Sequence, residues 1–290
     1  MKKIFYSILI FLLILFNFST VCADDVDNEV DFEDTIEVTA SNVSELPKTN
    51  SRRYIVYDRI SKSMIIGKNE DVKSAMASTT KIMTTIVILE KADLNEKVTV
   101  SAKAGGTGGS RLGLKRGDKA SVRDLLYGLM LRSGNDAAVA LAEHVGGSVK
   151  GFAELMNEKA IELGLTNTHF VTPHGLDDAN HYTTALELAK LTDYAMDNET
   201  FAKIVGTKST TIYINNQSRQ INNTNELLGV LNGVVGVKTG FTNNAGRCLV
   251  TETKRNNMDI ITIVLGADTK KDRTKDSVNL IEYTFSKYKM

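Results

Sequence analysis

β-rich runs at both ends of this chain flank a long helical middle, and this order limits the folds that the chain can adopt. Near the N-terminus, runs at 53–57 and 63–66 lie on either side of a turn and predict a hairpin. Further strands are predicted at 211–214, 234–238, 248–253 and 260–265. If the terminal strands pair, the chain is an α+β protein with an antiparallel sheet packed against helices, plus a helical subdomain. A cleft is then expected between the sheet and that subdomain.

The helical middle is recognised by apolar residues that recur at i, i+3 and i+4. Segment 77–92 is apolar on nearly every face, which predicts a helix buried on most sides. The remaining helices are predicted at 122–131, 136–145, 152–163, 184–197, 201–205 and 274–288. The glycine-rich patch 105–109 lacks the spacing and the lysine of a phosphate loop, so we interpret it as a flexible or close-packed loop.

The N-terminal segment predicts export. Lys2 and Lys3 precede an apolar run at 4–18, and a small-residue cleavage site ends at Ala23. Residues 1–23 are therefore interpreted as a signal peptide that is cleaved after Ala23. A retained membrane anchor is the alternative, but the run has 15 residues, whereas a spanning helix needs about 20. Cys22 also permits a lipid anchor, although Val21 is bulkier than expected before one. The expected location is therefore extracytoplasmic.

The next segment, 24–46, carries acids and no lysine or arginine, which predicts a disordered linker. Residues 47–290 are expected to form one folded domain, with no C-terminal β-domain or amphipathic anchor after it. The whole chain has 35 basic and 35 acidic residues, so no nucleic-acid partner is expected.

Once Cys22 is removed, Cys248 has no intrachain disulfide partner, and we expect it to be a buried strand residue.

Ser78 and Lys81 begin the buried helix three residues apart, so their side chains share one face. A serine hydroxyl becomes a good nucleophile only when a base takes its proton, and a lysine acts as that base where burial lowers its pKa. The alternative is structural: Ser78 caps the helix and Lys81 extends to solvent. The pair alone does not decide between these readings.

Two further motifs follow in the chain. Ser133-Gly134-Asn135 lies between two predicted helices, where a sharp loop directs both polar side chains into a cleft or, alternatively, merely caps the two helices. Lys238-Thr239-Gly240 ends a predicted strand, where the edge can align a substrate backbone and the polar groups can bind an anion. A plain strand-end turn is the alternative.

The three motifs in this order match the serine acyl-transfer signature. From 53 to 288 the chain resembles the penicillin-recognising serine enzymes, and among them the low-molecular-mass penicillin-binding D-alanyl-D-alanine carboxypeptidases. The resemblance is carried by the blocks 77–84, 131–138, 170–176 and 236–242. It implies a β-lactamase/transpeptidase-like fold, a peptidoglycan stem peptide ending in D-Ala-D-Ala as substrate, and β-lactam antibiotics as covalent inhibitors.

The resemblance also implies the roles of single residues. Ser78 attacks the carbonyl between the two D-alanines, Lys81 accepts its proton, and Ser133 relays a proton to the leaving amine. Asn135 holds a substrate amide, and Lys238 and Thr239 bind the terminal carboxylate.

The resemblance further implies that the backbone N–H groups of Ser78 and Phe241 form the oxyanion hole, and Gly240 is expected to leave room for close backbone approach. Arg273 adds to the carboxylate site or is a surface charge at the helix start. The resemblance implies no metal or organic cofactor. His144, His169, His174 and His181 show no metal-ligand spacing of the H-E-x-x-H type, so we interpret them as structural.

Two rival functions share these motifs. A serine β-lactamase adds an efficient deacylating base, but no Glu-x-x-Leu-Asn element lies between Ser133 and Lys238. A catalytically idle penicillin-binding sensor is disfavoured by intact Ser78, Lys81 and Lys238. Helix 274–288 is expected to pack on the sheet, so no stable membrane anchor is predicted after signal cleavage.

Overall fold

Two antiparallel sheets and a set of helices form the part of the chain that the computed structural model describes, residues 45–288. The predicted signal peptide and the linker up to residue 44 lie outside the described residues. In chain order the elements are β1 (Arg53–Asp58), β2 (Ser63–Lys68), a 3₁₀ turn (Ala77–Thr80), α1 (Lys81–Lys91), β3 (Lys97–Thr99), α2 (Ala102–Gly105), β4 (Lys119–Ser121), α3 (Val122–Leu131), α4 (Asn135–Gly146), α5 (Val149–Glu162), α6 (Ala185–Met196), α7 (Glu199–Val205), β5 (Ser209–Ile214), β6 (Gln217–Asn222), β7 (Val234–Thr242), β8 (Gly246–Arg255), β9 (Met258–Ala267) and α8 (Lys270–Lys287).

The main sheet joins the two ends of the chain, which confirms the predicted α+β class. Its strand order is β2-β1-β9-β8-β7, and β1 pairs with β9 from Arg53 opposite Leu265 to Asp58 opposite Ile260. Helix α8 covers one face of this sheet, where Val56, Val264 and Ile281 belong to one buried cluster. Burying each such side chain contributes about 1.5–3 kcal/mol. Strand β7 lies at the edge of the sheet.

Helix α1 lies at the centre of the helical side. It packs against α3, α4, α5, α6 and α7, and Ile82, Met83 and Ile86 on it are at most 1% exposed. The predicted buried helix is therefore confirmed, with one difference at its start. Its first turn, Ala77–Thr80, is a 3₁₀ turn rather than α-helix.

The predicted strand at 211–214 does not join the main sheet. It lies within β5, in a second, four-stranded sheet of order β3-β4-β5-β6 beside the helices. Strand β6 was not predicted because its sequence, QSRQIN, is almost entirely polar. Asn215 and Asn216 connect β5 to β6 with φ of 53° and 62°, and this pair of positive values suits a two-residue hairpin turn.

The last helix begins four residues earlier than predicted. The Thr269 hydroxyl accepts the Asp272 backbone N–H at 3.0 Å, so Thr269 caps α8 and the helix includes residues 270–273. Arg273 therefore lies inside the first turn of α8 instead of preceding it. Within residues 45–288, no helix is long and apolar enough to cross a membrane.

Candidate active site

Ser78 lies on the 3₁₀ turn that leads into α1, and its side chain is almost completely buried. The preceding residue, Ala77, has a φ of 48°, which is uncommon for a residue with a Cβ. Gly175 packs against this residue so tightly that a Cβ at position 175 would come within 1.9 Å of the Ala77 carbonyl oxygen. The turn that carries Ser78 is thus held from the side by the 173–176 loop.

A hydrogen-bonded chain from His181 supports the same turn. The Nδ1 atom of His181 accepts backbone N–H groups from Val171 at 2.9 Å and Thr172 at 3.3 Å, so the ring proton belongs on Nε2. Nε2 therefore donates to the Thr80 hydroxyl at 2.8 Å, and that hydroxyl donates to the Ala77 carbonyl at 2.8 Å. Burial lowers the pKa of His181 to about 4, which keeps the ring neutral.

Lys81 is fully buried, and its Nζ lies among oxygen atoms from three separate parts of the chain. Nζ is 2.6 Å from Ser78 Oγ, 3.2 Å from Ser133 Oγ, 2.8 Å from Asn135 Oδ1 and 3.1 Å from the His174 carbonyl oxygen. The predicted contact between Ser78 and Lys81 across one helical turn is present. Ser133 and Asn135 complete the group, although they lie more than 50 residues further along the chain.

The orientation of these oxygens decides what Lys81 can do. The Asn135 amide donates through Nδ2 to the Gly108 carbonyl at 2.9 Å, so its Oδ1 faces Lys81. Oδ1 and the His174 carbonyl only accept hydrogen bonds. They can take both protons of a neutral Lys81 amine, which leaves the nitrogen lone pair for a hydroxyl proton of Ser78 or Ser133. The arrangement is able to move a proton between the amine and either serine.

The 133–136 segment owes its shape to a buried carboxylate. Ser133 has a φ of 58° and begins a sharp turn into α4. The fully buried Asp136 carboxylate accepts the backbone N–H groups of Leu112, Gly113, Leu114 and Ala137, each at 2.9 Å. It therefore ties the 108–114 loop to the turn that carries Ser133 and Asn135. Sequence reasoning did not identify Asp136, because an aspartate in the first turn of a helix is ordinary.

Strand β7 forms the opposite wall of the cleft. Lys238 is 1% exposed, and its Nζ donates to the Thr239 carbonyl at 3.0 Å. The Thr239 hydroxyl lies 2.8 Å from the Thr224 hydroxyl. A Cβ at Gly240 would lie 3.0 Å from the Ser78 backbone nitrogen, so the strand crosses directly beside the serine turn.

The pocket at the serine is lined by residues from five separate segments of the chain. They are Ser78, Gly109, Ser110, Asn135, His174, Gly175, Leu176, Phe241 and Thr242. Gly109 and Ser110 place the end of the glycine-rich patch at the cleft, whereas Gly106 and Gly108 are exposed. The Arg247 guanidinium stacks on the Phe241 ring, 3.8 Å from its centroid.

Arg273 is buried and paired, so the alternative of a surface charge at the helix start is wrong. Its side chain is 3% exposed and contacts the Glu226 carboxylate, which also accepts the Thr274 hydroxyl at 2.6 Å. Burial acts to raise the pKa of Glu226, but Arg273 and Thr274 together hold that pKa below its ordinary value. The contact that the structure assigns to Arg273 is thus an internal carboxylate.

His174 lies in the pocket wall with its ring buried. Burial, together with the charge of Lys81, lowers the pKa of His174 to about 3. Its Nδ1 accepts the Leu176 backbone N–H at 3.2 Å, as expected for a neutral ring. Among residues 45–288, no three His, Cys, Asp or Glu side chains are grouped so that they could hold a metal ion.

Comparisons with known proteins agree on one family. The model of peptidase family S11, D-alanyl-D-alanine carboxypeptidase, matches residues 39–269. DacF of Bacillus subtilis, named as a D-alanyl-D-alanine carboxypeptidase, is 37% identical over 240 residues, which are 81% of this chain and 62% of DacF. DacC of Escherichia coli, with the same description, is 38% identical over 270 residues, which are 85% of this chain and 64% of DacC. This chain therefore spans less than two thirds of the length of these relatives.

The crystal structure of the Streptomyces K15 DD-transpeptidase superimposes with a TM-score of 0.78 at 34% identity, covering 83% of this chain and 99% of that one. The predicted transpeptidase-like fold is thereby confirmed. Because the family model covers most of the chain and the solved structure shares its fold, the chain belongs to peptidase family S11, the D-alanyl-D-alanine carboxypeptidases.

Proposed function

We propose that this protein is a serine-type D-Ala-D-Ala carboxypeptidase that removes the terminal D-alanine from peptidoglycan stem peptides through an acyl-enzyme on Ser78. One observation carries the proposal. Lys81 Nζ is fully buried and lies 2.6 Å from Ser78 Oγ, while the acceptor-only oxygens of Asn135 and His174 face the same nitrogen. This contact gives the serine a base within hydrogen-bond reach, as nucleophilic catalysis requires.

In the proposed acylation, the Ser78 hydroxyl proton moves to the Lys81 amine as Oγ attacks the carbonyl carbon. The developing oxyanion is bound by the backbone N–H groups of Ser78 and Phe241, and one such donor contributes about 3–4 kcal/mol in comparable sites. The carbon–nitrogen bond then breaks, and the proton passes from Lys81 through Ser133 to the departing D-alanine amine. The 3.2 Å contact between Lys81 Nζ and Ser133 Oγ supports this route. Water hydrolyses the acyl-enzyme by the reverse proton route.

The remaining motif residues are assigned to substrate binding. Asn135 binds a substrate amide, and Lys238 and Thr239 bind the terminal carboxylate. Gly240 permits the substrate backbone to pass close to β7, the edge strand of the main sheet. β-Lactam antibiotics, which carry a carboxylate beside a strained amide, are expected to acylate Ser78 and to act as covalent inhibitors. The proposed location is outside the cytoplasm, secreted or associated with the cell wall, because the substrate is there.

The test uses the purified chain with a peptide ending in D-Ala-D-Ala. Released D-alanine and covalent labelling by penicillin are measured for the parent, Ser78→Ala and Lys81→Met. The parent is expected to release D-alanine and take the label. Ser78→Ala should lose both, and Lys81→Met should be labelled at least 100-fold more slowly, because proton transfer by a positioned group is worth about 10²–10⁴ in rate.

Matched controls change the same residue types on exposed positions. Ser218→Ala on β6 and Lys190→Met on α6 should keep parental rates, since both side chains are exposed. A parent that releases no D-alanine and takes no label would refute the proposal. Rapid hydrolysis of penicillin without release of D-alanine would indicate a β-lactamase instead.

A further inference from the structure

One segment of the chain concentrates positive charge beside the cleft. The whole chain has equal numbers of basic and acidic residues, yet residues 97–132 contain eight basic and two acidic side chains. The eight are Lys97, Lys103, Arg111, Lys115, Arg116, Lys119, Arg123 and Arg132. All of them are exposed. A charge imbalance of this size within 36 residues creates a local positive potential.

The fold brings the central members of this set together. Lys103 lies on α2, while Arg111, Lys115 and Arg116 lie on the loop from 111 to 116. A Cβ on Gly105 would come within 3.1 Å of the Arg116 backbone nitrogen and 3.2 Å of the Leu114 carbonyl oxygen, so α2 and this loop pack directly against each other. We name Lys103, Arg111, Lys115 and Arg116 the basic rim.

The charges of the basic rim are not neutralised internally. Within the described part of the chain, none of the four side chains forms a salt bridge with a carboxylate. Asp118, the nearest acid in sequence, instead accepts the Lys115 backbone N–H and the Asn215 amide. Four exposed ammonium and guanidinium groups therefore remain available to an external anion.

The basic rim is continuous with the cleft. Arg111 directly follows Ser110, which lines the pocket, and the Ser110 carbonyl accepts the Asn135 backbone N–H at 2.7 Å. The charge of Lys103 reaches the pocket as well: burial is the main cause of the low pKa of His174, and the charges of Lys81 and Lys103 add to it. A substrate strand that leaves the pocket beside Ser110 would therefore contact the basic rim next.

We propose that the basic rim binds a carboxylate-rich polymer to which the scissile peptide is attached, so that the enzyme favours polymeric over small soluble substrates. This inference rests on the proposed carboxypeptidase function and adds the substrate form to it. Four cations beside a cleft attract an anionic polymer before the peptide end is aligned, which raises the association rate. A short peptide that ends inside the pocket gains little from them.

The test compares a rim variant with a variant of equal charge change elsewhere. The rim variant carries Lys103→Gln, Arg111→Gln, Lys115→Gln and Arg116→Gln in the full chain. The control carries Lys150→Gln, Lys190→Gln, Lys203→Gln and Lys271→Gln, all exposed lysines on helices α5 to α8. Substrates are soluble peptidoglycan strands and an N-acylated tripeptide that ends in D-Ala-D-Ala and has no charge except its terminal carboxylate. Penicillin labelling checks that each variant has folded.

For the rim variant, kcat/KM on the strands is expected to fall about tenfold at low ionic strength, the lower end of steering effects. On the tripeptide it should stay within twofold of the parent. The control should match the parent on both substrates. The difference in kcat/KM on the strands between the parent and the rim variant should become smaller as ionic strength rises from 0.01 to 0.15 M, because the Debye length shortens from about 30 to about 8 Å.

Equal strand activity of the rim variant and the control would overturn the inference and leave the proposed function intact. A rise in strand activity of the rim variant would also overturn it, and would point to the acidic segment 24–45 of this chain as the occupant. Co-sedimentation with insoluble peptidoglycan gives a second readout without catalysis. If the parent releases no D-alanine, the proposed function fails. The proposed role of the basic rim is then tested separately by sedimentation, and equal co-sedimentation of the parent and the rim variant with peptidoglycan would refute it.

Discussion

Replacing Asp136 with asparagine tests how the cleft is assembled. Oδ1 of Asp136 accepts the N–H groups of Leu112 and Ala137, and Oδ2 accepts those of Gly113 and Leu114. An asparagine keeps one acceptor oxygen and places an NH₂ group where the other oxygen was. Two backbone donors then face a third donor, and each buried donor without a partner costs about 1–3 kcal/mol. Because Gly113 is exposed and water can reach it, we expect a total loss of about 2–4 kcal/mol.

Urea unfolding of the parent and Asp136→Asn measures this loss, since the free energy of unfolding falls linearly with denaturant. Asp71→Asn is the matched control, because Asp71 is exposed and exposed substitutions change stability by about 0.5 kcal/mol or less. The 108–114 loop also holds the amide and backbone of Asn135. Penicillin acylation of Asp136→Asn should therefore slow by about 10–100-fold, as misplacement of a site by about 1 Å does. A stability loss under about 1 kcal/mol with parental acylation would refute this account of Asp136.

Three further outcomes are expected. The His181 pKa is about 4 in the folded protein and about 6.5 in an unfolded chain, so its contribution to stability is complete above pH 6.5 and is lost as pH falls toward 4. Urea midpoints from pH 7 to 4 check this, and a flat profile would contradict it. Gly240→Ala places a Cβ 3.0 Å from the Ser78 nitrogen, so penicillin acylation should slow at least tenfold while the melting temperature changes little; parental rates would show that the strand adjusts. Burial, reinforced by Asp259, raises the pKa of Glu252 to about 7, so stability is lost as pH rises from 4.5 through 7. Glu252→Gln should match the parent at pH 5 and exceed it at pH 8, and a lower midpoint than the parent at pH 8 would contradict this.

Much of the fold could be predicted from hydrophobic patterns in the sequence, because the spacing of apolar residues indicates which side chains are buried. The buried α1 helix and the strands β1, β7, β8 and β9 are examples. Strand β6 was missed because its polar side chains give no periodic signal, and it is a strand only because β5 pairs with it. Short strands such as β3 carry three residues, too few for a pattern.

The residues of the site also fall into a group that the sequence predicted and a group that it did not. Ser78 and Lys81 were predicted to touch because helical spacing alone brings them together, and the contact is present at 2.6 Å. The carbonyl oxygens of Gly108 and His174, which orient Asn135 and Lys81, were not predicted. A backbone carbonyl belongs to every residue, so its role depends entirely on tertiary placement and has no signature in the sequence.

The pairing of β1 with β9 has a consequence for how the chain folds as it is made. Arg53 lies opposite Leu265, so these partners are more than 200 residues apart in sequence. A nascent chain exposes the apolar face of β1 early but cannot cover it until nearly the last residues have emerged. Such long-range closure slows folding, because loop entropy is lost before the contacts form. Truncation before residue 258 removes β9, the partner of both β1 and β8, so we expect such products to be degraded rather than to fold.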